Sequence, residues 1–105
     1  MILYRVILSP ESQEDLRELR DYIARESSRR KADNYIRRVA KFYKSLAIAP
    51  HRGEQRFSQR PGMRSIGFEH RISILFTVSD EDRRVEILGF FYGGRNVEHA
   101  DRRNF

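Results

Sequence analysis

The chain has 105 residues, 34% of them charged and 39% hydrophobic, with 21 Lys+Arg against 15 Asp+Glu for a formal charge of +6. That length makes one domain, 1–105, and its aromatic and branched content is too high for a disordered chain of this charge. Cysteine is absent, which excludes disulfides, thiolate catalysis and cysteine metal sites.

The positive surplus suits a phosphate backbone, an acidic protein or an anionic membrane surface, and charge alone does not choose among them. No apolar run approaches the roughly 20 residues of a membrane helix. The opening MILYRVILSP is apolar, but Arg5 interrupts it and no small-residue cleavage site follows. It reads as a strand rather than a signal peptide, so no membrane partner is expected and a cytoplasmic location is.

Residues 2–8 alternate, with Ile2, Tyr4, Val6 and Leu8 on one side and Leu3, Arg5 and Ile7 on the other. Ser9 and Pro10 then start a helix: the serine hydroxyl accepts from a free first-turn amide, and proline loses nothing at the first helical position. Glu11, Glu14 and Asp15 put negative charge at the positive end of its dipole. This helix is predicted over Pro10 to Arg25, with Leu16, Leu19, Tyr22 and Ile23 as its apolar stripe. After Ser27-Ser28, a second helix is predicted from Arg29 to Leu46. Ala32, Tyr35, Ile36, Val39, Phe42, Tyr43 and Leu46 form its inner face, and Pro50 closes it. Such a hairpin buries too little to stand alone and needs a sheet to lie on.

His51 to Pro61 reads as a loop with Arg52, Arg56 and Arg60 against Glu54. Three strands follow, Met63 to Glu69, Arg71 to Val78 and Arg84 to Tyr92, joined through Glu69-His70 and Ser79-Asp80-Glu81-Asp82. The expected fold class is α+β, in the order β-α-α-β-β-β, with a helical hairpin on one face of a mainly antiparallel sheet. Strict alternation sends Val85, Ile87 and Phe91 to one face of the last strand and Leu88, Phe90 and Tyr92 to the other. Helices cover one face only. An exposed patch of Leu75, Leu88, Phe90 and Tyr92 is therefore expected to bind a partner, unless the C-terminal tail folds over it.

These segments have a recognisable layout. Tyr4-Arg5-Val6-Ile7-Leu8-Ser9-Pro10, then Asp15-Leu16 and Tyr22-Ile23, resemble the start of RelE/ParE-superfamily toxins. So do Pro50-x-x-Gly53, Pro61-Gly62-Met63-Arg64-Ser65 and the closing Val85-Glu86-Ile87-Leu88-Gly89-Phe90-Phe91-Tyr92-Gly93-Gly94-Arg95. The resemblance spans nearly the whole chain and leans to the ParE branch. It implies the toxin of a type II toxin–antitoxin pair, causing growth arrest. In the ParE branch the implied target is DNA gyrase, inhibited by direct binding; in the RelE branch it is ribosome-bound mRNA, which the toxin cuts. In both, an acidic antitoxin wraps the toxin with its C-terminal segment, and here it would bury Leu75, Leu88, Phe90 and Tyr92.

Cutting RNA needs a base, an acid and a cation for the developing phosphate charge. The histidines His51, His70 and His99 lie in a loop, a turn and the tail, and nothing in the sequence brings two together. Arg64 and Arg95 cannot act as bases, but they can grip phosphate or carboxylate with paired hydrogen bonds; a salt bridge is the alternative role for Arg64. A nuclease would rest on Arg64, Tyr92 and Arg95. No lysine follows Lys44, so a protein inhibitor contacting its target through Arg56, Arg60, Arg64 and Arg95 is the expectation. Gly93-Gly94 either frees Arg95 to reach a partner or simply ends the strand. No cofactor and no metal are expected, because separated histidines without cysteine leave no ligand set. No helix-turn-helix spacing is present and the +6 charge is read as spread along the chain, so a dedicated DNA-binding module is not expected, while direct nucleic-acid contact stays open.

Overall fold

A computed structural model describes residues 2–56 and 60–92. The order is β1 (Arg5–Leu8), α1 (Pro10–Glu26), α2 (Arg29–Lys44), a 3-10 turn (Ser45–Ala47), β2 (Glu54–Gln55), β3 (Met63–Phe68), β4 (Ile72–Ser79) and β5 (Arg84–Tyr92). The strands form one sheet in the order β1-β5-β4-β3-β2, with β1 parallel to β5 and every other pair antiparallel.

The helix starts follow their caps. Ser9 Oγ accepts from the Ser12 amide at 3.1 Å with Pro10 next in line, and Ser28 Oγ accepts from the Lys31 amide at 3.1 Å. Leu19 of α1 and Tyr35, Val39 and Tyr43 of α2 meet Ile72, Ile74 and Phe76 of β4 and Val85, Ile87 and Phe90 of β5 in the main core. Burial of this shared stripe against the sheet supplies the apolar contact that the hairpin lacks by itself.

Three expectations need correction. The first strand is regular only from Arg5, because Tyr4 N–H turns away to Ala47 O at 2.9 Å. The expected loop contains β2, where Gln55 opposes Arg64 and Glu54 opposes Ser65. Gly53 permits that return: its φ is +83°, and a Cβ there would lie 2.2 Å from the Ser65 carbonyl oxygen.

The third correction decides which side chains face which way. Leu75 opposes Gly89 but the next residue, Phe76, opposes Ile87, so Leu88 is an extra residue in β5. This bulge shifts the alternation by one. Val85, Ile87 and Phe90 share the helix-covered face with Tyr92 beside them, while Leu88 and Phe91 join Met63 and Leu75 on the other. Phe90 is therefore not on an outer patch; it is 0% exposed beneath the helices. Leu75 and Leu88 do lie on the far face but are buried, as are Met63 and Phe91. The expected exposed patch of Leu75, Leu88, Phe90 and Tyr92 does not exist as such.

Candidate functional site

β1 ends at Leu8 opposite Ile87, and the start of α1 continues the contact with β5 across the bulge. Ser9 N–H donates to Ile87 O at 2.9 Å, Ser9 Oγ to Leu88 O at 3.4 Å, and the Phe90 amide donates to Asp15 Oδ2 at 2.9 Å. Asp15 is thus a buried carboxylate joining helix to sheet, where the sequence suggested only a favourable dipole charge. The Asp15-Leu16 step of the resemblance has a structural duty in this chain.

The arginines expected to meet a target divide between two sheet faces. Residues directly opposed in an antiparallel pair share a face. Arg64 opposes Phe76 and lies on the helix side, with its guanidinium 3.4 Å from Arg52 O. Arg56 lies on the far side; its Nε donates to Ser65 Oγ at 2.9 Å and Glu54 is 3.7 Å away. Arg60 is exposed. Arg56 and Arg64 therefore do not form one clamp, and Arg95, Gly93-Gly94 and His99 lie outside the described residues.

Beside Arg64 is a polar cluster that sequence spacing did not reveal. Tyr4 Oη donates to Asp80 Oδ1 at 2.7 Å, and His51 Nε2 lies 2.7 Å from the same oxygen. Hydrogen bonds from Tyr4 and His51, then the charges of His51 and Arg64, hold the Asp80 carboxyl below its ordinary range. The same bond to Asp80 raises the Tyr4 phenol. A cavity of about 150 Å³ opens here between His51, Arg64 and Asp80. Residues 4, 51 and 80 are far apart in sequence, and only the fold brings them together. The cluster ties the start of β1 and the loop after α2 to the β4–β5 turn. Its one carboxylate oxygen already serves two donors. Among the described residues no group of three potential ligands could hold a metal ion.

The accessible apolar surface is elsewhere. Tyr22 is 46% exposed and its ring lies 6.0 Å from that of Tyr92. With Leu19, Ile23, Tyr35 and Ile72 they line a trough of about 350 Å³ toward the turn end of the helical hairpin, rimmed by His70 and Arg71. Behind it, Lys31, Asn34, Arg38 and Arg71 border a second cavity of about 460 Å³ with Tyr35. The Tyr35 hydroxyl is buried with no hydrogen-bond partner among the described residues. Burial first, then Glu69, pushes its ionisation up against the opposing pull of Arg71 and Arg38. A second exposed apolar group, Ile2, Leu3 and Ile48, flanks β1 where Tyr4 meets Ala47. Among the described residues no helix is long and apolar enough to cross a membrane.

Two helices on a mixed five-stranded sheet with this order define the RelE/ParE-like fold. The chromosomal ParDE system of P. aeruginosa superposes with a TM-score of 0.73 at 20% identity, covering 88% of this chain and 98% of that one. The RelBE2 toxin–antitoxin complex of Mycobacterium tuberculosis gives 0.63 at 22%, covering 89% and 94%. The isolated E. coli RelE toxin gives 0.63 at 14%, covering 94% of each chain. No curated protein sequence matches. The family described as the ParE toxin of the type II toxin–antitoxin system parDE matches residues 6–97, and the chain belongs to that family.

Proposed function

We propose that this protein is a toxin that binds and inhibits DNA gyrase in the cytoplasm, and that a cognate acidic antitoxin neutralises it. The observation that carries the reading is the ParE family match over residues 6–97, on a fold nearer the ParDE structure (TM-score 0.73) than the two RelE-type structures (0.63 each). The antitoxin contact moves from the outer face of β5 to the trough holding Tyr22 and Tyr92, whose apolar floor and Arg71 rim suit an acidic amphipathic segment. Leu75 and Leu88 are buried and join that contact only if the far face opens. Arg60 and Arg64 remain the candidate target contacts; Arg56, held by Ser65, is the weakest of the three.

Purified protein should block supercoiling by gyrase and leave ribosome-bound mRNA intact. Cleavage of that mRNA with gyrase unaffected would move the chain to the nuclease reading, with Arg64, Tyr92 and Arg95 as its first suspects.

A further inference from the structure

We infer that the solvent face of α2 binds the phosphate backbone of duplex DNA. Arg29, Arg30, Lys31, Arg37, Arg38, Lys41 and Lys44 lie on this one helix against Asp33 alone. The resulting net +6 equals the formal surplus of the entire chain. The charge is therefore concentrated on α2 rather than spread along the sequence. All seven cations are exposed. Among the described residues only Arg38 has an acidic partner, Glu69 at 2.9 Å, while Asp33 is taken by Arg20 of α1 at 2.8 Å.

The placement opposes the helix's own stability. Arg29, Arg30 and Lys31 crowd the first turn, which has no acid, and so face the positive end of the dipole. Arg37 and Lys41 stand four apart and Lys41 and Lys44 three apart, as like charges that repel. An external polyanion relieves all of these costs together. Arg30, Arg37 and Lys44 recur every seven residues with Lys41 alongside, so a helix of about 3.6 residues per turn aligns them over about 21 Å. Duplex DNA presents about a dozen phosphate charges along that length.

The stripe also argues against other occupants. An acidic peptide needs apolar anchors, but along the stripe itself the remaining member is Asn34, and the Phe42–Phe68 cavity lies at one edge, beside Arg38 and Lys41. Single strands are held by stacking on aromatic rings. Of the aromatics of α2, Tyr35 and Tyr43 are buried, and Phe42, half-buried, packs on Phe68 at 4.8 Å to one side of the stripe, which leaves one accessible ring pair rather than a row of stacking platforms. Duplex RNA is recognised largely by its shape and its 2′-hydroxyls across a wide minor groove, and Asn34 is the one short polar side chain in the stripe. The inference is independent of the identity of the toxin's target.

Anisotropy of a fluorescent random-sequence duplex of about 20 base pairs tests it, starting from about 50 mM salt. The parent protein should bind with a log–log salt slope of about −3 to −4, set by roughly four phosphate contacts. Arg30→Gln/Arg37→Gln/Lys44→Gln should bind at least about tenfold more weakly and lose roughly two to three units of slope. Arg5→Gln/Arg17→Gln/Arg25→Gln removes the same charge elsewhere and should stay within about threefold of the parent. All six side chains are exposed, so both variants should keep the parent's circular dichroism. Equal losses in the two variants, or no duplex binding by the parent, would overturn the inference. So would tighter binding of polyglutamate, of a single strand or of duplex RNA of the same length, each of which would reassign the face to that ligand.

Discussion

α1 and α2 enter the core by the same rules and meet solvent by different ones. Each opens on a serine cap and buries one apolar stripe against the sheet. Outside, α1 has Glu11 in its first turn and Arg25 in its last, as the dipole favours, and Glu14–Arg17 and Arg20–Asp21 pair along it. α2 has no acid in its first turn, and six of its cations have no ion-pair partner among the described residues. α1 is thus balanced within the chain itself, whereas the outer face of α2 carries a surplus that the described residues do not offset. Apolar spacing set the fold in both helices; the charges that spacing leaves free distinguish the helix that holds the domain together from the one that faces outward.

The largest effect should come where both helices grip β5. Phe90 is fully buried with its ring 5.9 Å from that of Tyr43. Phe90→Ala should cost about 3–5 kcal/mol by urea denaturation, and Phe90→Asp should leave the domain unfolded. Tyr22→Asp, at the half-exposed rim of the trough, should cost about 1 kcal/mol and leave the domain folded while weakening antitoxin binding. A folded Phe90→Asp protein would restore the unshifted alternation of β5.

Next comes the tie that belongs to α1 alone. Asp15→Ala leaves the buried Phe90 amide without an acceptor and should cost about 1–3 kcal/mol. Asp15→Asn retains an oxygen in place and should recover much of that loss. If alanine and asparagine are equally damaging, the carboxylate's charge matters more than the bond to the bulge. A smaller and opposite pair of changes compares the helix starts. Glu11→Arg in α1 should destabilise by about 0.3–1 kcal/mol, and Arg29→Glu in α2 should stabilise by a similar amount at low salt, both fading as salt rises. Loss of stability in Arg29→Glu would mean that the α2 cations are satisfied within the folded chain.

Much of this contrast was legible in the sequence. The Ser9-Pro10 cap, the Ser27-Ser28 break and the 3.6-residue stripes located both helices, because caps, breaks and apolar periodicity are local signals. Two strand pairs and their turns were legible for the same reason. The facing of Phe90 and Phe91 was not, since alternation counts residues and a bulge adds one. Gly89 was the available clue, as an isolated glycine within a strand pattern often marks a bulge. Asp15 and the Tyr4–His51–Asp80 cluster depend on contacts across 75 and 76 residues, which no window of sequence displays. β2 was hidden because a strand of two residues carries no periodicity of its own.

The subtlest test concerns the one α2 cation that does have a partner. Arg38 reaches Glu69 through two hydrogen bonds of 2.9 and 3.0 Å, tying α2 to the β3–β4 turn. Those bonds, and then the Arg38 charge, hold the Glu69 carboxyl below its ordinary value. The folded protein therefore releases this proton more readily than the unfolded chain does. The resulting stability is fully present above the unfolded carboxylate value of about 4.3 and disappears as pH falls through the lower folded value. In a carboxyl NMR titration, Glu69 should show a midpoint below the ordinary one in the parent and return toward it in Arg38→Gln. Glu69→Gln should flatten the acid limb of the stability curve, whereas Asp33→Asn leaves the Glu69 midpoint in place. An unshifted Glu69 in the parent would leave every cation of α2 available to a partner, making the contrast with α1 complete.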